Sequence, residues 1–216
     1  DLSPAAASLS LSAATFALAL GMLAWAPLSD AKGRVGVLRV AILLAAFLGL
    51  SVPFVPSFPF LVALRGLQGL ALAGVPAVAM AYLSEEVEPR RSGAAMGLFI
   101  AGNAVGGMVG RILVGLLSAY LGWRGGLLVL GLLDLLLAAW FAWNVPPSRR
   151  FRPRPLTRSA ILRGLAASGR DPVLLGLYAT AFLVMGSFVT AYNYLAFSLQ
   201  GPPWSLPASK VSWVFL

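Results

Sequence analysis

The chain has 216 residues, of which 59% are hydrophobic and only 11% are charged. Soluble domains carry about 25% charged residues, so this chain has too few charges to cover a water-facing surface. It contains neither Cys nor His, which excludes disulfides, thiol nucleophiles, zinc sites and His-based acid–base pairs within the chain. The net charge of +9 does not indicate a nucleic-acid partner, because most of the chain is not soluble structure. The composition predicts an all-α integral membrane protein embedded in a lipid bilayer.

Six stretches are long and apolar enough to cross a hydrocarbon core of about 30 Å, which takes about 20 helical residues. The predicted spans cover residues 9–28, 35–54, 60–83, 94–120, 125–145 and 172–197. A seventh apolar run starts near Leu206 and continues to the last residue. Because the chain begins with Asp and stops within an apolar run, we expect a piece of a longer protein. The expected architecture is a partial helical bundle with six complete transmembrane helices and part of a seventh.

The basic residues are concentrated in alternate connections between the spans. Twelve of the 16 Lys and Arg residues lie at positions 32–39, 90–91 and 149–170, whereas the intervening connections hold only Arg124 and Lys210. The positive-inside rule places such basic connections in the cytoplasm. We therefore predict a multi-pass protein of a bacterial inner (plasma) membrane. Its parts are an N-terminal bundle (1–145), a basic cytoplasmic linker (146–171) and the start of a C-terminal bundle (172–216).

The first basic connection has the pattern of a tight, charged turn. It reads Pro-Leu-Ser-Asp-Ala-Lys-Gly-Arg over residues 27–34. Gly33 permits a positive φ, which brings the Asp30 carboxylate close to the Arg34 guanidinium. Glu85 and Glu86 follow the third span on the same side of the membrane, so one of them can pair with Arg34. The alternative is that both belong to a solvated charge run.

This turn resembles the signature between the second and third helices of the major facilitator superfamily. Four signature residues match (Leu28, Asp30, Gly33 and Arg34), and Ala26 stands in place of the leading Gly. The third span contains Arg-Gly-Leu-Gln-Gly at residues 65–69, which is similar to a pattern of the family's fourth helix. The resemblance covers the whole chain as helices two to seven and the start of helix eight. It implies that the first helix and most of the C-terminal bundle are missing partners of the same parent chain.

The fourth span is similar to the antiporter signature of the family's fifth helix. Gly102, Gly106 and Gly107 match that signature, whereas Leu98 and Asn103 replace its first Gly and its Pro. Independently of the resemblance, the four-residue spacing from Gly102 through Gly106 to Gly110 predicts a groove that another helix backbone can approach closely. Such packing is ordinary between membrane helices. In a transporter, the same kind of contact between two bundles forms and breaks as the protein changes conformation.

Charged residues within the spans are candidates for a cavity or for ion pairs, because a central charge costs about 2.5–3.5 kcal/mol on insertion scales. Counting 1.5 Å per residue, Arg65 lies roughly 9 Å, Arg111 roughly 13 Å and Asp134 roughly 16 Å from one end of the spans. Arg111 and Asp134 are therefore predicted to form a buried charge pair.

The candidate functional residues form two groups besides that pair. Residues expected to line a substrate cavity are Arg65, Gln68, Asn103, Arg111, Tyr192 and Asn193; for the two last, interfacial anchoring is the equal alternative. Residues expected to form the conformational gate are Asp30, Gly33, Arg34, Glu86, Gly102, Gly106, Gly107 and Gly110.

The resemblance implies a secondary active transporter, not an enzyme, that uses no cofactor and no metal. We expect proton-coupled export of small organic solutes, such as sugars or drugs, by alternating access. An uptake symporter or a uniporter on the same fold is the alternative. A membrane-embedded enzyme is a further alternative, but the predicted spans lack the His, Cys and clustered carboxylates that such an enzyme usually needs. A receptor or scaffold would require the chain to be complete.

Overall fold

The computed structural model describes residues 4–153 and 157–211, and the described residues form helices and turns without a strand. By length and composition, five helical stretches can cross a membrane, at residues 8–32, 34–54, 58–86, 89–144 and 172–191. The helices are α1 (Pro4–Lys32), α2 (Arg34–Ser51), α3 (Phe58–Leu72), α4 (Gly74–Glu86), α5 (Pro89–Asn144), α6 (Arg158–Ser168), α7 (Pro172–Gln200) and α8 (Ala208–Val211), with a 3₁₀ turn at Val52–Phe54.

Helix α5 contains two of the six predicted spans. Its 56 residues would be roughly 84 Å long at 1.5 Å per residue, far more than one crossing needs. Gly122 interrupts it with φ 69° and ψ 168°, a conformation essentially restricted to glycine. Phe99 and Phe141, on opposite sides of Gly122, both pack against the same core cluster. The chain therefore folds back at Gly122, between a first arm (residues 89–121) and a second arm (residues 123–144).

Helices α3 and α4 together form the third predicted span. Pro76 lies in the first turn of α4 and has no N–H to donate to the Leu72 carbonyl, four residues earlier. The helical ladder is interrupted at that point, where α3 ends and α4 begins at Gly74. The two helices remain one membrane-crossing stretch, Phe58–Glu86.

Small residues allow close packing between the helices. α1 packs mainly on α3, and α2 packs mainly on α5. A Cβ added at Gly69 would overlap the Ala14 carbonyl, and one added at Gly131 would lie 2.8 Å from the Leu50 Cα. Because lipid tails are as apolar as the helices, such close backbone approach, rather than hydrophobic exclusion, drives association in a bilayer.

The helices of the first 150 residues run alternately between two ends. We call the end formed by residues 29–39, 82–91 and 145–153 the basic end. The opposite end contains the 3₁₀ turn and the Gly122 turn, which are joined where Arg124 Nε donates to the Pro53 carbonyl at 3.1 Å. A buried core of Val37, Leu38, Val78 and Ala79, surrounded by Trp25, Leu28, Val75, Phe99 and Phe141, holds α2 and α4 together.

The chain divides into two compact units, residues 1–154 and 155–216. This division falls within the predicted linker of residues 146–171, whose first part is hydrogen-bonded to α4 of the first unit. In the second unit, the Asp171 carboxylate caps α7 by accepting from the backbone N–H groups of Val173 (2.9 Å) and Leu174 (3.2 Å). The Leu206 N–H donates to the Leu199 carbonyl at 2.9 Å. Residues 212–216 of the predicted seventh run lie outside the described residues.

Candidate functional site

Gly33 forms the predicted turn between α1 and α2. Its φ is 104° and its ψ is 142°, and its N–H donates to the Ser29 carbonyl at 3.1 Å. This geometry ends α1 and starts α2 within one residue. It brings Asp30 Oδ1 to 2.5 Å from Arg34 Nη1, the proximity that the turn pattern predicts.

Arg34 is the centre of a polar network at the basic end. Its side chain is only 7% exposed, although it is charged. The guanidinium donates to both Glu85 carboxylate oxygens, from Nη2 at 2.6 Å and from Nε at 3.2 Å, and to the Ser29 hydroxyl at 2.7 Å. The Phe151 ring centroid lies 5.8 Å from the guanidinium carbon. A buried cation is tolerated in this way because carboxylates from α1 and α4 compensate its charge and fill its donors.

Of the two glutamates that could pair with Arg34, Glu85 does so, and Glu86 binds a different part of the chain. Its Oε1 accepts from the backbone N–H groups of Arg149 (2.7 Å) and Arg150 (2.9 Å). Neighbouring residues on a helix point about 100° apart, so Glu85 faces Arg34 while Glu86 faces the chain that leaves α5. The Tyr82 hydroxyl donates to the Pro146 carbonyl at 3.0 Å in the same region. Residues 146–151 are thus fastened across the ends of α2 and α4.

Arg65 and Gln68 form a polar pair on α3. Arg65 Nη1 donates to Gln68 Oε1 at 2.8 Å. Gln68 and Asp134 both border an open cavity of about 480 Å³ between α2, α3 and the second arm of α5. The remaining lining is apolar and consists of Ile42, Ala45, Ala46, Leu72, Leu137, Ala138, Trp140 and Phe141. The structure therefore places Gln68 and Asp134 at one cavity, a grouping that sequence spacing did not predict.

The structure does not bring Arg111 and Asp134 together. Arg111 Nη1 donates to the Gly107 carbonyl of its own helix at 3.4 Å, whereas Asp134 faces the cavity beside Gln68. In the part of the chain that the structure describes, no ion pair joins the two residues. The predicted pair rested on the expected depths of the two residues, and depth does not determine the direction in which a helical side chain points.

The glycine face of α5 consists of Gly102, Gly106, Gly107 and Gly110. A Cβ added at the first, second or fourth of these would meet nothing within 4 Å among the described residues, and one at Gly107 would meet only Arg111 Nη1 at 3.5 Å. Asn103 is exposed beside it. The face is therefore open along the first arm, and its role as a contact between bundles stays a prediction.

Tyr192 and Asn193 lie in α7, but their side chains are outside the described part of the structure. Sequence reasoning missed Ser29 and Tyr82 because neither is charged. It also missed the bond from Arg39 Nη2 to the Val145 carbonyl, at 3.4 Å, because more than 100 residues separate the two.

A family model and the curated relatives of this chain indicate the same protein family. The family model described as Major Facilitator Superfamily matches residues 1–215. The uncharacterized MFS-type transporter YybF of Bacillus subtilis (strain 168) is 46% identical over 99% of this chain and 53% of its own length. The inner membrane transport protein YnfM of Escherichia coli (strain K12) is 41% identical over 97% of this chain and 50% of its own length.

A more distant relative is named the bicyclomycin resistance protein homolog of Haemophilus influenzae (strain ATCC 51907 / DSM 11121 / KW20 / Rd). It is 25% identical over 94% of this chain and 52% of its own length. The chain thus spans about half the length of the curated relatives it matches. The family and these two closer relatives are transporters rather than enzymes. The chain is a multi-pass helical membrane protein that belongs to the Major Facilitator Superfamily.

Proposed function

We propose that the protein containing this chain is a secondary active transporter that exports small organic solutes by alternating access, driven by a proton gradient. The observation that carries the proposal is the buried Asp30–Arg34–Glu85 network at the basic end. A buried ion network is weak evidence for stability, because desolvation offsets much of its attraction. A network that joins three helix ends at one end of the bundle is well placed to change between two conformers.

In this proposal the basic end faces the cytoplasm, as the positive-inside rule predicts. Asp30 acts as a latch: its carboxylate is about one-third exposed and so can also meet the N-terminus of a helix outside this chain. A carboxylate at a helix N-terminus contributes about 0.3–1 kcal/mol when exposed and up to ~2 kcal/mol when partly buried. Because such a contact exists in one conformer only, it shifts the population rather than creating a binding site.

The open glycine face is the proposed surface on which the other bundle moves. Its openness along the first arm of α5 supports this assignment, since alternating access in such folds is largely a rocking of one bundle against the other. Arg65, Gln68, Asn103 and Arg111 are the proposed polar residues of the transport path. Tyr192 and Asn193 are proposed for its outer part.

Export and proton coupling rest on two supports. The fourth span resembles the antiporter signature of the family, and one relative is named for resistance to a compound, which favours export over uptake. Asp134 is the one acidic residue inside a predicted span, so the proton-carrying group is either this carboxylate or one in the parent's remaining helices.

The proposal is tested by transport into inverted membrane vesicles that contain the full-length protein. A panel of sugars and drugs is offered with an imposed pH gradient, and the gradient is then collapsed with an ionophore. Uptake of a solute that stops on collapse supports proton-coupled export. Uptake that continues unchanged indicates a uniporter, and accumulation only in right-side-out vesicles indicates a symporter; either result contradicts the proposal.

A further inference from the structure

A second groove lies on a different side of the pairing between α2 and the second arm of α5. It has a volume of about 330 Å³ and is lined by Arg39, Leu43, Ala139, Ala142 and Trp143. Four of the five lining side chains are apolar or aromatic, and the fifth is a cation. The groove does not belong to the polar path described above, since none of the proposed path residues borders it.

Arg39 lies where this groove reaches the basic end of the bundle, and most of its hydrogen-bond donors have no partner among the described residues. Its position is five residues into α2 after Arg34, or roughly 7.5 Å along the helix. Nη2 donates to the Val145 carbonyl at 3.4 Å, which is a long bond. Nε is buried and has no hydrogen-bond partner among the described residues. A guanidinium carries five donors and is always charged, so one long bond leaves most of its capacity unused.

The nearby carboxylates are engaged elsewhere and do not neutralise Arg39. Asp30 and Glu85 pair with Arg34. Glu86 accepts from the backbone at residues 149 and 150, and Glu88 lies 3.9 Å from Arg91. In the described part of the basic end, Arg39 is therefore a partly buried cation without a carboxylate partner, and it can accept an anion from outside the chain.

The walls of the groove indicate what kind of molecule carries that anion. Ala139 and Ala142 are small and open a channel beside Leu43, along the direction of the helices. Trp143 is 84% exposed at the end of α5, where aromatic side chains mark the boundary between hydrocarbon and headgroups. An apolar channel that ends in a cation at this level fits an amphiphile with an acyl chain and a negative headgroup.

We infer that this groove binds an anionic phospholipid, with its phosphate at the Arg39 guanidinium and an acyl chain along Leu43, Ala139 and Ala142. Basic pockets between transmembrane helices bind anionic headgroups in this way, and a guanidinium forms strong charge-assisted bonds with phosphate. The site is independent of the proposed transport activity, because it lies away from the glycine face and the Arg65–Gln68 pair.

The test is native mass spectrometry of the full-length, delipidated protein with added phosphatidylglycerol or phosphatidylcholine of equal chain length. Arg39→Gln should weaken phosphatidylglycerol binding at least fivefold. Arg90→Gln, which removes the same charge from an exposed position at the basic end, should change it less than twofold. Equal losses in the two variants would mean a diffuse charge effect and would overturn the site.

A second variant tests the groove without changing any charge. Ala142→Trp fills the channel and should weaken phosphatidylglycerol binding severalfold, while Ala119→Trp, at an exposed position near the opposite end, should not. Unchanged lipid binding by Ala142→Trp would overturn the inference even where Arg39→Gln fails to fold. Millimolar inorganic phosphate should leave the bound lipid in place, and displacement of the lipid would indicate a free-anion site instead.

Discussion

The basic end of the bundle and the glycine face of α5 differ in how many contacts their residues make with the rest of the described chain. At the basic end, Arg34 is buried among two carboxylates and a hydroxyl, and Glu86 holds two backbone N–H groups. Along the glycine face, the Cβ positions of Gly102, Gly106 and Gly110 meet nothing within 4 Å among the described residues.

The two regions are therefore expected to contribute to different properties, namely stability and transport activity. Residues of the closed network support the fold, and their loss should be felt in stability. Residues of the open face support nothing within the described part of the chain, so their loss should be felt only in activity.

Gly106→Leu should abolish transport by the full-length protein while membrane insertion and folded yield stay normal. The added side chain meets open space here but would block the approach of a second bundle. The matched control is Gly97→Leu, which is equally open and lies on the other side of the same arm. Transport in vesicles and monodispersity in detergent are the measurements. A fully active Gly106→Leu protein would remove the face from the mechanism.

Arg34→Gln should destabilise the protein by about 3–5 kcal/mol, the usual cost of breaking a buried ion pair from one side. Two carboxylates, Asp30 and Glu85, would be left without their cation. Arg91→Gln is the control: Arg91 is 82% exposed and 3.9 Å from Glu88, and such surface pairs contribute about 0–1 kcal/mol. Thermal unfolding in detergent should separate the two variants clearly. Equal midpoints would show that the network is not a stabilising unit.

Glu86→Ala should release residues 149–150 from the end of α4. Two hydrogen bonds of about 0.5–1.5 kcal/mol each would be lost, and a loss of 1.4 kcal/mol corresponds to a tenfold change in an opening equilibrium. Hydrogen exchange at the amides of Arg149 and Arg150 should therefore become about tenfold faster. Glu88→Ala, which has no bond to these amides, serves as the comparison variant. Unaltered exchange in Glu86→Ala would show that the attachment does not persist in solution.

Arg111→Gln and Asp134→Asn should have additive effects on stability, within about 0.5 kcal/mol. The two residues do not pair among the described residues, so neither variant should rescue the other. A double-mutant cycle on thermal stability measures the coupling directly. A coupling of several times that size would restore the pairing predicted from their depths.

Hydropathy and turn chemistry were enough to predict much of the fold. Among the described residues, the six predicted spans coincide with the five helical stretches that can cross a membrane, because α5 contains two of them. The Asp30–Gly33–Arg34 spacing predicted the local ion pair. Facing relationships between distant helices were not predictable, because they depend on helix rotation. The sequence left Glu85 and Glu86 open as partners of Arg34, and helix rotation brings Glu85 to it. Rotation also places Asp134 at the cavity that Gln68 borders, not beside Arg111.

Weakening the latch at Asp30 should make the glycine face more accessible from the basic end. The natural chain has no Cys, so Asn103→Cys can be labelled with a membrane-impermeant thiol reagent in inverted vesicles, in a full-length protein with no other exposed thiol. Ala101→Cys is the control site, because Ala101 is exposed and lies two residues from Asn103, on the opposite side of the helix. A latch at Asp30 predicts that Asp30→Asn speeds labelling of Asn103→Cys about two- to fivefold, from a contact energy of about 0.3–1 kcal/mol, without changing labelling of Ala101→Cys. Equal labelling of Asn103→Cys with and without Asp30→Asn would contradict it and reduce the turn to a connector.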